Sequence, residues 1–194
     1  MKKGKQRKKW GLIIFLVFIM IGTSFSFVFF GFSGVSEKVR HNGFKFTYLP
    51  SQRIWMASIN DRSTAFAFLP EEVMDINMTS GIGERMRDRL EIDATYDFNS
   101  TFKESIALAF HQLSLTLNEH EVYLRQGATS NNSFKLPIID CSHASQSVPV
   151  VYFRQSNSTG INLEGNCIIA NAASNSDVIK AKDRLVYEYF GIIK

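Results

Sequence analysis

The residues best suited to chemistry form one short run, Asp140-Cys141-Ser142-His143, with a second cysteine further along at Cys167. A thiol two residues from an imidazole could act as nucleophile and base. Cys141 and Cys167 are, however, the only two cysteines. An even count in an exported chain points to pairing. The spacing therefore predicts a Cys141–Cys167 disulfide, with a Cys141–His143 thiolate site as the alternative. In the chain-entropy account, closing that loop is worth roughly 3.5 kcal/mol.

Other chemistry-bearing residues lack diagnostic spacing. His41, His111 and His120 fit neither H-x-x-x-H nor H-E-x-x-H, and no C-x-x-C occurs. No metal and no cofactor are expected. Gly81-Ile82-Gly83 opens like a dinucleotide fingerprint, but Met86 stands where its third glycine belongs. It reads instead as a helix break. Asp75, Asp88, Asp93, Asp97 and Asp140 could include a catalytic pair, yet nothing singles out two of them. They are read as solvated surface acids. Ser100-Thr-Phe-Lys103 is a nominal Ser–Lys pair, and Thr101-Phe-Lys-Glu104 reads more simply as a capping box. Lys180, Lys182, Asp183 and Arg184 read as a charged helix face, Lys182 also lending its stem to the apolar stripe.

These residues must be placed by a folded core. Gly43–Pro50 alternates and predicts a strand, followed by Ile54–Ile59 and Thr64–Leu69 with Asn60–Ser63 between them as a turn. Pro70-Glu71-Glu72 predicts a short helix start. Leu90–Tyr96 predicts a fourth strand. Phe102, Ile106, Ala109, Phe110, Leu113 and Leu117 recur at helical spacing. Leu136–Cys141, Val148–Arg154 and Gly160–Ala170 predict a β-rich second half, with Glu164-Gly165-Asn166 turning the last segment and Val148–Phe153 central. A final helix is expected over 176–190, with Gly191 as its C′ residue and Ile192 and Ile193 packing back. The expectation is an α+β domain: an antiparallel or mixed sheet with two main helices on one face.

Ahead of it, Trp10 to Ser36 holds no charged residue, and Lys2, Lys3, Lys5, Arg7, Lys8 and Lys9 precede that run. About 20 apolar residues suffice to cross a bilayer as a helix. Basic residues before the span hold that side in the cytoplasm. The competing reading is a cleaved signal peptide, with Gly31-Phe32-Ser33 as a small-x-small site, but the run exceeds the usual ~7–15-residue apolar region. The expected organisation is a cytoplasmic tail (1–9), a transmembrane helix (10–33), a stalk (34–42) and an extracytoplasmic domain (43–194). The net charge of +4 is misleading. Removing the six tail cations leaves 16 basic against 18 acidic residues. That near-neutral balance argues against nucleic acid as a partner.

Four Asn-X-Ser/Thr sequons, at Asn77, Asn99, Asn131 and Asn157, are a mild excess over chance and suggest a glycosylated exported surface. The C-terminal third resembles uncharacterised archaeal single-pass membrane-anchored proteins. The likeness rests on Ile139-Asp140-Cys141, Val148-Pro-Val-Val-Tyr-Phe153, Gly165-Asn-Cys-Ile-Ile169, Lys182-Asp-Arg-Leu-Val-Tyr187 and Phe190-Gly191-Ile192, with a looser match at Asn42-Gly-Phe-Lys-Phe46. It implies an exported address and the disulfide, and no activity. The expected role is a non-catalytic binding or assembly module at the cell surface. Its partners would be the lipid bilayer and proteins at that surface or in the membrane. The contrasting expectations are a membrane-tethered hydrolase using His143 and Asp140, or an accessory subunit of a membrane complex.

Overall fold

The structure is a computed structural model that describes Ile13, residues 15–17, Ile19, Met20 and residues 37–193. The expected tail and most of the expected span lie outside the described residues. Ile13, Phe15, Leu16, Val17, Ile19 and Met20 are helical. Among the described residues, no helix is long and apolar enough to cross a membrane. Glu37–Lys194 forms a compact unit of its own.

That unit is α+β, with two sheets where the sequence reading expects one. The first sheet is an antiparallel meander in the order β1 (Lys38–His41), β2 (Phe44–Leu49), β3 (Ile54–Ile59) and β4 (Arg62–Phe66). Residues 38–42 are therefore not a stalk. Asn42 and Gly43, both at positive φ, make the two-residue turn that returns β1 onto β2. An Asn-Gly pair suits such a turn because its left-handed conformation matches the strand twist. Asn60 and Asp61 do the same between β3 and β4.

A single 3₁₀ turn, Pro70–Glu72, and a five-residue helix α1 (Ile82–Met86) follow. The second sheet comprises β5 (Glu91–Tyr96), β6 (Tyr123–Gln126), β7 (Val150–Gln155), β8 (Gly160–Glu164) and β9 (Cys167–Ala172), ordered β6-β5-β7-β9-β8. All its pairings are parallel except the β8–β9 hairpin. The long helices are α2 (Lys103–Glu119), which links β5 to β6, and α3 (Asn175–Tyr189).

Strand alternation divides the second sheet into two differently covered faces. Ile92, Ala94, Val151, Phe153, Ile168 and Ala170 join one core with Phe110 and Leu113 of α2 and Leu185 of α3. Phe46 and Phe66 of the meander enter the same core, where Tyr187 stacks on Phe66 at 4.4 Å. Both long helices thus lie on one face of the mixed sheet, with the meander beyond them. The opposite face carries Val150, Cys167 and Ile169, packed with Ile139. Here Leu136–Cys141 forms no ladder strand, contrary to expectation. It makes one bridge, Ala128 to Ile138, and then a 3₁₀ turn, Cys141–His143. The Thr95 hydroxyl donates to the Ile139 carbonyl at 2.6 Å, fastening this cover to the sheet.

The helix ends follow local chemistry. The Ser174 hydroxyl accepts from the Asp177 amide and caps α3. At its other end Gly191 adopts φ 68°, Ile192 N–H donates to the Tyr187 carbonyl and Gly191 N–H to the Glu188 carbonyl. That is the expected C-cap, with Ile192 and Ile193 buried. The capping box expected at Thr101 is not formed. Phe102 occupies the N-cap, and Gln155 Oε1 at the end of β7 takes the Thr101 amide and hydroxyl instead.

Candidate functional site

A cleft of about 950 Å³ lies at the C-terminal end of α3. Residues 78–81 and α1 form one wall, Asn60 from the β3–β4 turn and His120 from the end of α2 another, and Arg184, Glu188 and Phe190 a third. Gly83 permits this closure. A Cβ there would stand 2.6 Å from the Glu188 carbonyl oxygen, so only glycine lets α1 pack against the α3 terminus. Arg87 seals the junction, donating from Nε to the Tyr189 carbonyl at 2.9 Å and from a terminal nitrogen to the Glu188 carbonyl at 2.8 Å. A cation suits the negative end of a helix. Gly81 and Gly83 therefore have structural explanations, and the helix after them has only five residues.

Two cleft residues hold buried nitrogens without partners. Arg184 is 8 % exposed, and it pairs with Glu188 at 3.2 Å through one terminal nitrogen. Its Nε is buried and has no hydrogen-bond partner among the described residues. His120 ends α2 with its ring 4.6 Å from that of Phe190, and its Nε2 is likewise buried and unpartnered. Burial, and then the nearby Arg62, lower the His120 pKa against a smaller opposing pull from Glu119. The imidazole is neutral at physiological pH. Buried polar atoms are nearly always satisfied, and among the described residues His41, Thr64, Arg85 and Gln112 each hold another such unpartnered atom. Glu84 and Asp88 add acids to the lining, which makes the cleft polar and of mixed charge.

Immediately before Arg184 on α3 the chemistry is different. Lys182 and Asp183 are buried, not part of a solvated face as the sequence reading expects. Asp183 accepts from Lys182 Nζ with one oxygen, and from the Ala67 and Phe68 amides with the other, both at 2.9 Å. The Tyr187 hydroxyl donates to the Phe68 carbonyl at 2.6 Å. Burial pushes the Asp183 carboxyl up, while Lys182 and the two amides pull it down less. This cluster ties the chain leaving β4 to α3.

The other candidates resolve individually. Cys141 and Cys167 are disulfide-bonded, and no free cysteine is found among the described residues. The thiolate alternative is thereby excluded. Asp140 Oδ1 lies 3.0 Å from His143 Nδ1 and accepts from the Ser142 amide and hydroxyl at 2.8 and 2.5 Å. These bonds, the Ser142 hydroxyl first, hold the Asp140 carboxyl below its usual range. The Ser142 hydroxyl engages the acid directly instead of the imidazole. Both Asp140 and His143 are about half exposed. A nucleophile–base–orienter relay needs the imidazole in the middle. Asp93 is buried, contrary to its reading as a surface acid, and forms a two-pronged pair with Arg125 at 2.7 Å on the neighbouring strand. Asp75, Asp88 and Asp97 are exposed. Ser100 bonds Gln155, and Lys103 Nζ lies over the Phe98 ring, so they form no Ser–Lys pair. His111 is exposed on α2, while His41 pairs with Glu71 at 2.6 Å. Among the described residues, no group of three or more His, Cys, Asp or Glu could hold a metal ion. Asn77, Asn99, Asn131 and Asn157 are all exposed.

His120 and Arg184 carry no motif that marks them as a pair. The chain matches no protein-family model, no curated protein and no solved structure.

Proposed function

We propose that the protein is a membrane-anchored extracytoplasmic binding module, and that the cleft at the end of α3 is where it takes its ligand or partner group. The observation that carries the binding reading is that Arg184 and His120, each with a buried nitrogen left without a partner among the described residues, line one cavity. A site built for recognition presents a few polar groups in a concave surface. A site built for hydrolysis also needs a nucleophile or activated water held by an oriented base. His120 has no hydrogen-bonded acid to orient it among the described residues, so recognition is the better fit.

The exported address is supported by the uncharged run from Trp10 to Ser36, the basic residues before it, the disulfide and the exposed sequons. The proposed topology has the N-terminus in the cytoplasm, residues 10–33 in the bilayer and the folded unit outside. Crosslinking in native membranes, followed by mass spectrometry, tests the reading. A partner captured by the natural chain and lost in R184M would support the cleft. The same partner captured equally by both would overturn it.

A further inference from the structure

The two faces of the meander differ in chemistry. Phe46, Ala57, Ile59 and Phe66 point into the core. The outward face carries exposed Lys38, Arg40 and Lys45, with Leu49, Ile54 and Met56 half-buried beside them. No Asp or Glu occupies an outward position of the four strands. Glu119 of α2, which borders this face, stands at the β4 edge, across the sheet from the cations. Arg40 and Lys45 are direct cross-strand partners. Like charges placed opposite one another weaken a strand pair. Sheet stability therefore does not explain them, and the rest of the chain beyond the tail carries more acid than base.

Chain length supplies the second argument. Only residues 33–37 separate the end of the apolar run at Phe32 from β1. Five residues span at most about 18 Å in any conformation. A span held in a bilayer would keep β1 next to the lipid surface, and docking would be intramolecular, at high effective concentration.

We infer that the outward face of the meander docks on the surface of an anionic bilayer, with Lys38, Arg40 and Lys45 on lipid phosphates and Leu49, Ile54 and Met56 at the headgroup boundary. This rests on the anchored reading given above. Cations next to an anionic membrane strengthen attachment about fivefold each, so three together shift docking on the order of a hundredfold. Their apolar stems can lie along the sheet while the charges reach the phosphates. The docked orientation would carry the meander against the lipid.

The test uses the full chain in nanodiscs of phosphatidylcholine, alone or mixed with phosphatidylglycerol. A nitroxide is placed at Ser58→Cys on the outward face, or at Ser147→Cys as a control. Its access to a water-soluble paramagnetic quencher is measured. Phosphatidylglycerol should reduce access at position 58 by roughly threefold or more, leave position 147 unchanged, and lose its effect in high salt and in a K38E/R40E/K45E variant. Retention in the discs with equal access in both lipids would overturn the docking alone. So would a lipid effect that survives the triple substitution. Failure of the chain to remain in the discs would overturn the anchor, and this inference with it.

Discussion

Asp183 and Arg184 are neighbours on α3, and the two polar clusters they belong to are finished differently. Asp183 has a donor on each oxygen: Lys182 on one, two backbone amides on the other. Arg184 and His120 each leave a buried nitrogen without a partner among the described residues, and both residues line an open cleft. The first cluster holds the fold together. The second borders a space large enough for a ligand. Charge and burial alone do not separate framework from site, because Asp183 and Arg184 share both. Hydrogen-bond satisfaction differs between these two clusters, although His41, Thr64, Arg85 and Gln112 also hold buried atoms without partners among the described residues.

The contrast is most exposed to Asp183→Ala. That change would strand the Lys182 ammonium and the two amides in the core, and loss of about 3–5 kcal/mol is expected in urea unfolding. A loss under about 1 kcal/mol would make the cluster ornamental. Gly83→Ala should come next, at about 1–3 kcal/mol, because the new Cβ meets the Glu188 carbonyl. It should also separate α1 from α3, visible as faster amide exchange at residues 82–86. Arg184→Met should cost less than Asp183→Ala, at about 1–2 kcal/mol, since it removes one charge-assisted hydrogen bond to an acid that keeps some access to water. If it cost as much as Asp183→Ala, Arg184 would belong to the framework.

The smallest effect is a pH dependence. His120 titrates below its unfolded value. Below about pH 6.5 the unfolded chain takes up the proton first, so stability falls as pH drops from there through the folded pKa. Above about pH 6.5 this contribution is fully present. His120→Leu should flatten that part of the stability profile. An unchanged slope would show that the imidazole is not held neutral.

Much of the fold was legible because its signals are local. Strand alternation reveals β2 and β5, a short run apolar on both faces reveals β7, and helical spacing with Gly191 reveals both long helices. β1 was hidden by its charges, although Asn42-Gly43 is the hairpin signal that would have exposed it. The division into two sheets was hidden because β5 and β7 pair across the whole of α2 and β6. The site was less legible still. Lys182, Asp183 and Arg184 read as a solvated face because a helical wheel does not show that two sheets enclose α3. Asp93 looked like any surface acid until Arg125 arrived on the adjacent strand. The cleft joins residues from four separate stretches of chain, and no spacing rule connects them.

The account depends most on the address of the folded unit. Intact cells can be treated with a membrane-impermeant amine reagent, and modified lysines mapped by mass spectrometry. Lys103 and Lys135 are exposed on the folded unit away from the meander, whereas Lys2, Lys3, Lys5, Lys8 and Lys9 lie in the tail. Labelling of the first group, with the tail labelled only after the cells are opened, is the predicted result. Labelling of the tail alone, or of neither group until lysis, would contradict it.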